Sequence, residues 1–326
     1  MNRCSVRVAL IVLGLLAGVL PAPAPLIYTP GEGWRYEQVG GGGQWQKPRA
    51  KDQLEVAQTA FDKGNISLAL KAAKRTATLW PFSDFAPQAQ YLLGRCHEAK
   101  GQDEAAFKAY QKLIDTYPKL ENYDEVLKRQ EAIADRFLAG QWFKAWNVVP
   151  MFPSMDKTIK FYDQIIKNGP YSTVAPLAQM NIGAANEQKF FSDYPEAARA
   201  YERAADRYAA QRAGTDAMFK AGLSYTKQAR RAEYDQSIAG QAIATFTDFS
   251  TLHPEDARVP EAQKVIDSLR TEQARGAYEV AKFYEKKHRW DGALIYYNEV
   301  LLKDARSQYA EEARLRIDAI KKKVTH

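Results

Sequence analysis

One short helical pattern recurs six times along this chain of 326 residues. In each copy a small residue is followed four positions later by an aromatic or apolar residue, and a third residue closes the pattern three positions further on. Spacings of four and three lie on one stripe of an α-helix, so each copy predicts a helix with a single face to bury. The six copies are Ala69/Ala73/Thr76, Ala106/Tyr110/Leu113, Thr158/Tyr162/Ile165, Ala197/Tyr201/Ala204, Ala242/Phe246/Phe249 and Ala293/Tyr297/Val300.

A second helix is predicted in front of each of these helices, for example at 51–63 and 87–100. These two helices end at Gly64 and Gly101, and glycine is the expected residue just past a helix C-terminus. The two glycines are 37 residues apart, which is typical of stacked helix-turn-helix repeats. Four of the six patterns end at a proline, which cannot continue a helix, namely Pro81, Pro118, Pro170 and Pro254.

The repeats resemble the tetratricopeptide repeat. In residues 87–118 the positions that matter for this motif are occupied by Leu93, Gly94, Gly101, Ala106, Tyr110, Leu113 and Pro118. The resemblance implies an all-α solenoid of about six helix-turn-helix units over residues 50–326, wound as a right-handed superhelix with essentially no strand. Because such a fold grows by adding units, the length of the chain does not require several domains.

The N-terminus is predicted to direct export. Arg3 and Arg7 precede the apolar run 8–20, whose 13 residues are typical of an export signal and too few for an ordinary membrane-spanning helix. We expect residues 1–24 to form this signal, whether or not it is cleaved, and the protein to be exported.

The segment 25–49 has no apolar period and is rich in Gly, Pro and Gln, which predicts a flexible tether. Trp34 and Trp45 interrupt it. Two readings are open for these tryptophans: they dock a partner, or they pack back onto the first repeat.

The composition gives no indication of catalysis. There are 46 basic and 39 acidic residues, a net charge of +7 spread over the chain, which fits a solvated surface with weak attraction for acidic partners or anionic lipid. Outside the leader the one cysteine is Cys96, expected to be a small packed residue, and the four histidines show no ligand spacing. We expect no enzyme activity, no metal, no cofactor and no nucleic acid partner.

The leader, the tether and the repeats together resemble the BamD (ComL) family, the tetratricopeptide component of the machinery that inserts β-barrels into the bacterial outer membrane. The resemblance implies a non-catalytic periplasmic adaptor, peripherally associated with the outer membrane. Its N-terminal repeats would receive extended segments of unfolded outer-membrane proteins, and later repeats would hold the barrel-inserting subunit. The segments that carry the resemblance are 62–69 (DKGNISLA), 154–162 (SMDKTIKFY), 168–172 (NGPYS), 234–236 (YDQ), 242–246 (AIATF) and 278–284 (YEVAKFY).

The chain departs from this family in two ways. Val19 stands where a lipid-bearing cysteine would follow Leu16-Ala17-Gly18, so no lipid anchor is expected. Six units are predicted where five are usual, so the contacts of the C-terminal repeats cannot be transferred residue by residue. The rival hypothesis is a periplasmic tetratricopeptide module that organises cell-envelope or polysaccharide machinery, and the oligomeric state is open under both.

The first candidate binding surface is a peptide groove. In tetratricopeptide repeats the first helix of each unit lines the groove. Phe61 and Tyr91 would give apolar area and Arg95 would bind a terminal carboxylate, which suits a short peptide with an aromatic end. The alternative is that half of the groove residues pack between helices. The resemblance places eight residues in the groove, namely Lys51, Leu54, Gln58, Phe61, Gln88, Tyr91, Arg95 and Glu98.

The second candidate surface is the aromatic insertion, residues 140–153 (GQWFKAWNVVPMFP). It carries more large apolar side chains than a connecting loop needs. It either contacts a partner or a membrane surface, or it folds back to close the groove between the second and third repeats. Its candidate contact residues are Trp142, Phe143, Trp146, Met151 and Phe152.

Overall fold

The computed structural model describes residues 26–29, 31, 33–36, 45–145, 149–150, 153–231 and 236–324. Within them the chain forms thirteen α-helices and two short antiparallel hairpins. The chain divides into two compact units, an N-terminal unit of residues 1–121 and a C-terminal unit of residues 122–326. The prediction of an all-α helical fold is confirmed.

The N-terminal unit contains the first two helix pairs. Each helix packs against the next one in sequence, and the first helix also contacts the third. The hairpin joins β1 (Leu26–Thr29) to β2 (Gly33–Tyr36). The helices are α1 (Ala50–Asp62), α2 (Ile66–Leu79), α3 (Ala86–Ala99) and α4 (Asp103–Thr116).

The C-terminal unit contains four further pairs and one closing helix. Consecutive helices pack against each other along the whole unit. Its second hairpin joins β3 (Lys144–Ala145) to β4 (Val149–Pro150) inside the aromatic insertion. The helices are α5 (Tyr123–Leu138), α6 (Met155–Asn168), α7 (Ala175–Glu187), α8 (Tyr194–Arg207), α9 (Arg212–Arg231), α10 (Gln236–Leu252), α11 (Val259–Lys286), α12 (Trp290–Lys303) and α13 (Gln308–Val324).

The recurring pattern forms the core of both units. Its six copies lie on the second helix of each pair, and all eighteen residues are at most 1% exposed. Five of the six central residues are aromatic, and three of these rings pack against a glycine of the preceding helix. A Cβ at Gly94 would overlap the Tyr110 ring, and the same holds for Gly183 with Tyr201. The repeat therefore depends on close approach of the two helices of a pair.

The predicted helix ends are confirmed. Each of the four prolines lies two residues beyond the last residue of its helix. Gly64, Gly101 and Gly140 follow α1, α3 and α5 with φ of 75°, 63° and 98°. The amide of Gly64 donates to the carbonyl of Phe61 and that of Asn65 to the carbonyl of Ala60, which satisfies the last free carbonyls of α1.

His288 occupies the same position after α11 with φ of 56°. A side chain strains this backbone by about 1–2 kcal/mol, whereas glycine accepts it at a smaller entropic cost. We expect His288→Gly to raise the free energy of unfolding by about 0.5–1 kcal/mol, measured by urea unfolding. A lower stability would contradict this and would mean that the contact of the imidazole with Trp290, at 5.3 Å between ring centroids, outweighs the strain.

The segment predicted as a flexible tether contains the first β-hairpin, which was not predicted from the sequence. The turn of the first hairpin docks on the loop after α2, where the Asp84 amide donates to the Gly31 carbonyl at 2.8 Å. Trp45 packs against the core of the N-terminal unit, and its carbonyl accepts from Gln53 Nε2 at 3.2 Å. Trp45 therefore packs back onto the first repeat, while the side chain of Trp34 lies outside the described residues.

None of the described helices has the length and apolar character to cross a membrane.

Candidate functional site

The centre of the predicted groove is assembled on two neighbouring first helices of the N-terminal unit. Phe61 is on α1, and Tyr91 and Arg95 are on α3. The Arg95 guanidinium carbon lies 5.2 Å from the centre of the Phe61 ring and 6.0 Å from that of the Tyr91 ring. All three side chains are half-buried, so they are both held in place and accessible.

The Tyr91 ring connects this site to the repeat core. Its centroid lies 5.9 Å from that of Tyr110, the buried ring of α4. Arg95 Nη1 points to the Tyr91 hydroxyl at 3.5 Å. A guanidinium carries five N–H donors, so this contact leaves capacity to bind a carboxylate. Packing against the two rings favours the cation.

The other predicted groove residues fall into two groups. Lys51, Gln58 and Gln88 are exposed and Glu98 is half-buried, which places them on the accessible side of α1 and α3. Leu54 is 9% exposed and belongs to the core of the N-terminal unit. Its assignment to the groove is corrected, because its position on α1 turns it toward the packed side and not toward a ligand.

A separate cleft of about 560 Å³ lies on another face of α1. It shares no residue with the predicted groove. Acidic, basic and aliphatic side chains line it, without an aromatic ring or an arginine. It therefore lacks the two groups that would bind a peptide with an aromatic end. The cleft is lined by Lys47, Asp52, Glu55, Val56, Thr59, Ala60, Lys63, Asn65 and Leu68.

The aromatic insertion begins by folding back onto its own helices. Phe143 is 3% exposed and stacks on Phe137 with ring centroids 4.0 Å apart. Its assignment to a partner surface is therefore wrong, because its ring completes an aromatic cluster between α5 and α6. Trp142 is 51% exposed and accessible. Trp146, Met151 and Phe152 lie outside the residues whose side chains are described.

The C-terminal unit contains a polar network that the sequence reading missed. Asp135 Oδ1 on α5 accepts hydrogen bonds from the Tyr162 hydroxyl at 2.6 Å and from Asn181 Nδ2 at 3.0 Å. The network links three helices at the pattern tyrosine of α6. No local motif marks it, since its members are 27 and 46 residues apart in sequence.

Glu131 lies one turn before Asp135 on the same helix. One carboxylate oxygen, Oε1, is buried without a hydrogen-bond partner. Burial raises the pKa of this carboxyl to about 7, the nearby Asp135 charge adds to the increase, and Lys128 opposes it. A carboxyl whose folded-state pKa exceeds its unfolded value destabilises the fold progressively as the pH rises between the two values.

We expect Glu131→Gln to stabilise the protein at pH 8 by about 1 kcal/mol. The full increase in pKa corresponds to roughly 3 kcal/mol at about 1.4 kcal/mol per unit, reduced because the side chain is partly in water. The difference should shrink as the pH falls and vanish below about pH 4, where the side chain is neutral in the folded and the unfolded states of both proteins. Urea unfolding at the two pH values measures it, with the exposed Glu255→Gln as control. An equal effect at both pH values would contradict the burial argument.

Among the described residues, Cys96 is a buried free cysteine. Burial raises the pKa of the Cys96 thiol to about 11, so the thiol stays protonated at neutral pH and acts as a small packed residue. In the same part of the chain, no group of three or more His, Cys, Asp and Glu side chains is placed to hold a metal ion.

The sequence matches two family models. The YfiO model, described as an outer membrane lipoprotein, matches residues 154–325, which are 172 of the 326 residues. A tetratricopeptide repeat model matches residues 54–121, which include every residue of the candidate groove except Lys51. The matches confirm both the tetratricopeptide fold and the resemblance to the BamD family. No curated protein matches the chain significantly.

Three solved structures with similar helical arrangements are distant from this chain in sequence. The C-terminal part of a TPR repeat-containing protein from Cytophaga hutchinsonii is 14% identical over 81% of this chain and 87% of its own, with a TM-score of 0.36. YrrB, a TPR protein with an unusual peptide-binding site, is 13% identical over 66% and 92%, with a TM-score of 0.34. PilF from Pseudomonas aeruginosa is 11% identical over 82% and 97%, with a TM-score of 0.29. Structural similarity at these TM-scores does not indicate a function for this chain.

Proposed function

Because this chain belongs to the YfiO family of outer membrane lipoproteins, we propose that it is a non-catalytic adaptor in the assembly of outer-membrane β-barrel proteins. It works on the periplasmic side of the outer membrane. It binds extended segments of unfolded barrel proteins through its N-terminal unit and a barrel-inserting partner through its C-terminal unit. The observation that carries this proposal is the Arg95 guanidinium packed against Phe61 and Tyr91 across two repeats.

The chemistry of the groove fits the end of an extended polypeptide. Half-buried rings offer apolar area to an aromatic side chain with little loss of side-chain freedom. The guanidinium offers paired N–H donors to a carboxylate. An exposed amide side chain on each helix, Gln58 and Gln88, can bond to the backbone of a bound segment. These features together favour a peptide whose last residue is aromatic and whose terminal carboxylate is unblocked.

The C-terminal unit is proposed to hold the barrel-inserting partner because the family match lies within it. Its described helices are stabilised by interactions internal to the unit, such as the Tyr297 hydroxyl bonded to Glu285 at 2.6 Å. A stable repeat array presents a fixed surface, which suits a permanent subunit better than a transient client.

Co-purification from membranes tests the proposed function. The full chain with an affinity tag should recover a large outer-membrane β-barrel protein after mild detergent extraction. The matched variant F61A/Y91A/R95A should recover the same barrel protein but less unfolded client, because the groove belongs to the N-terminal unit. Recovery of cell-wall or polysaccharide synthases without a barrel protein would contradict the proposal and support the rival hypothesis.

A further inference from the structure

The turn between α7 and α8 exposes two adjacent phenylalanines. Phe190 is 93% exposed and Phe191 is 81% exposed. Their rings contact each other edge to face, with centroids 4.8 Å apart. Since each phenylalanine can bury roughly 150–250 Å², the pair presents an apolar tip comparable to the largest patch on many soluble proteins.

The turn that carries this tip is fixed by polar contacts on both sides. The Asp193 amide donates to the Asn186 carbonyl at 2.9 Å, which closes the turn. Lys189 Nζ lies 3.1 Å from Asp156 Oδ1 and 3.6 Å from Asp193 Oδ2, which ties the turn to the start of α6. The two rings are therefore held outward by the backbone and do not collapse onto the neighbouring helices.

The same end of the helices carries further residues suited to a membrane surface. The Lys189–Asp156 pair brings the tip to the start of α6, the helix that follows the aromatic insertion, in which Trp142 is 51% exposed. Lys157 is exposed, and its Nζ lies 4.8 Å from the centre of the Phe143 ring in that insertion. Lys227, near the end of α9, forms an ion pair with Glu187 at the end of α7. Asp156, Asp193 and Glu187 pair with two of these three lysines, so the tip would enter a membrane interface through its exposed rings, with the long lysine side chains able to reach the headgroups.

We propose that Phe190 and Phe191 form a wedge that inserts into the interfacial layer of a phospholipid bilayer. The tip is convex, and a bilayer accepts a convex tip, whereas a protein partner would have to supply a matching apolar cleft. The proposal rests on the proposed location at the outer membrane but not on the peptide groove. Loss of lipid binding would leave recovery of the barrel protein intact, so the two proposals fail separately.

Vesicle flotation of the full chain tests the wedge. The probes are vesicles of phosphatidylcholine and vesicles of an equal mixture of phosphatidylcholine and phosphatidylglycerol. We expect F190S/F191S to lower the partition coefficient about tenfold or more on both, because the wedge acts through apolar burial. The matched control is Tyr171→Ser. Tyr171 is 95% exposed in the turn at the opposite end of α7, and its loss should leave partition unchanged.

A local probe places the contact within the chain. An environment-sensitive fluorophore on the F190C side chain, in a C4S background, should shift to the blue when either vesicle is added. Cys96 is buried and so stays unlabelled, and the same label on Y171C should not shift. The proposal is overturned if the double variant partitions like the parent. A label at position 190 that stays in water with vesicles, or responds only to the co-purifying barrel protein, also overturns it.

Discussion

Replacing Tyr110 by alanine is expected to lower the free energy of unfolding by roughly 3–5 kcal/mol, the range for truncating a large core side chain. The ring is fully buried and fills the space that Gly94 leaves open between α3 and α4. Its removal leaves a cavity that helices fixed by neighbouring repeats cannot close. Urea unfolding followed by circular dichroism measures the loss.

The matched control for this prediction is another tyrosine of the chain. Tyr171 is 95% exposed, so Tyr171→Ala should change stability by less than about 0.5 kcal/mol. If the two variants unfold at the same urea concentration, the recurring pattern is not the core of the repeats.

Replacing Phe61, Tyr91 and Arg95 together by alanine is expected to weaken binding of an aromatic-ended peptide by about 2 kcal/mol or more, the loss typical of removing binding hot spots. That loss corresponds to roughly thirtyfold in Kd. Helical content should stay close to that of the parent, because the three side chains are half-buried at the surface. Titration calorimetry and thermal melting separate the two effects.

A second variant on the same helix tests the rival cleft. Glu55 and Thr59 line that cleft, and both are exposed. The variant E55A/T59A should bind the peptide like the parent. Loss of binding in this variant alone would move the site to the cleft, and melting of the triple variant as low as Y110A would reassign its residues to the core.

The fold was predictable because its determinants are local and repeated. The spacing of four and three marks the buried face of each second helix, and Pro118 or Gly101 marks where a helix ends. The candidate groove was assigned from the resemblance to the tetratricopeptide repeat, and the structure brings Phe61 and Tyr91 together around Arg95 as that assignment expects. Leu54 was misassigned, because it lies on the buried face of α1 with Ala50 and Ala57, and sequence spacing does not fix how far a helix is rotated against its neighbours.

The features that were missed depend on contacts between distant residues or on loop geometry. Asp135 meets Tyr162 and Asn181 only when three helices are packed. Phe143 stacks on Phe137 because the chain reverses after α5, which no turn motif in the insertion indicates. The exposure of Phe190 and Phe191 depends on the geometry of a turn closed by the Asp193 amide and the Asn186 carbonyl, although a Phe-Phe dipeptide in a polar segment could have indicated it.

The central claim is that Arg95 receives the terminal carboxylate of an extended client segment, and a thermodynamic cycle tests it most directly. A short peptide ending in phenylalanine is titrated into the parent and into Arg95→Ala, once with a terminal carboxylate and once with a terminal amide. Amidation should weaken binding to the parent by about 1.5–3 kcal/mol, the value of a charge-assisted hydrogen bond, and should not affect Arg95→Ala. An equal effect of amidation on both proteins, or none on the parent, would contradict the claim.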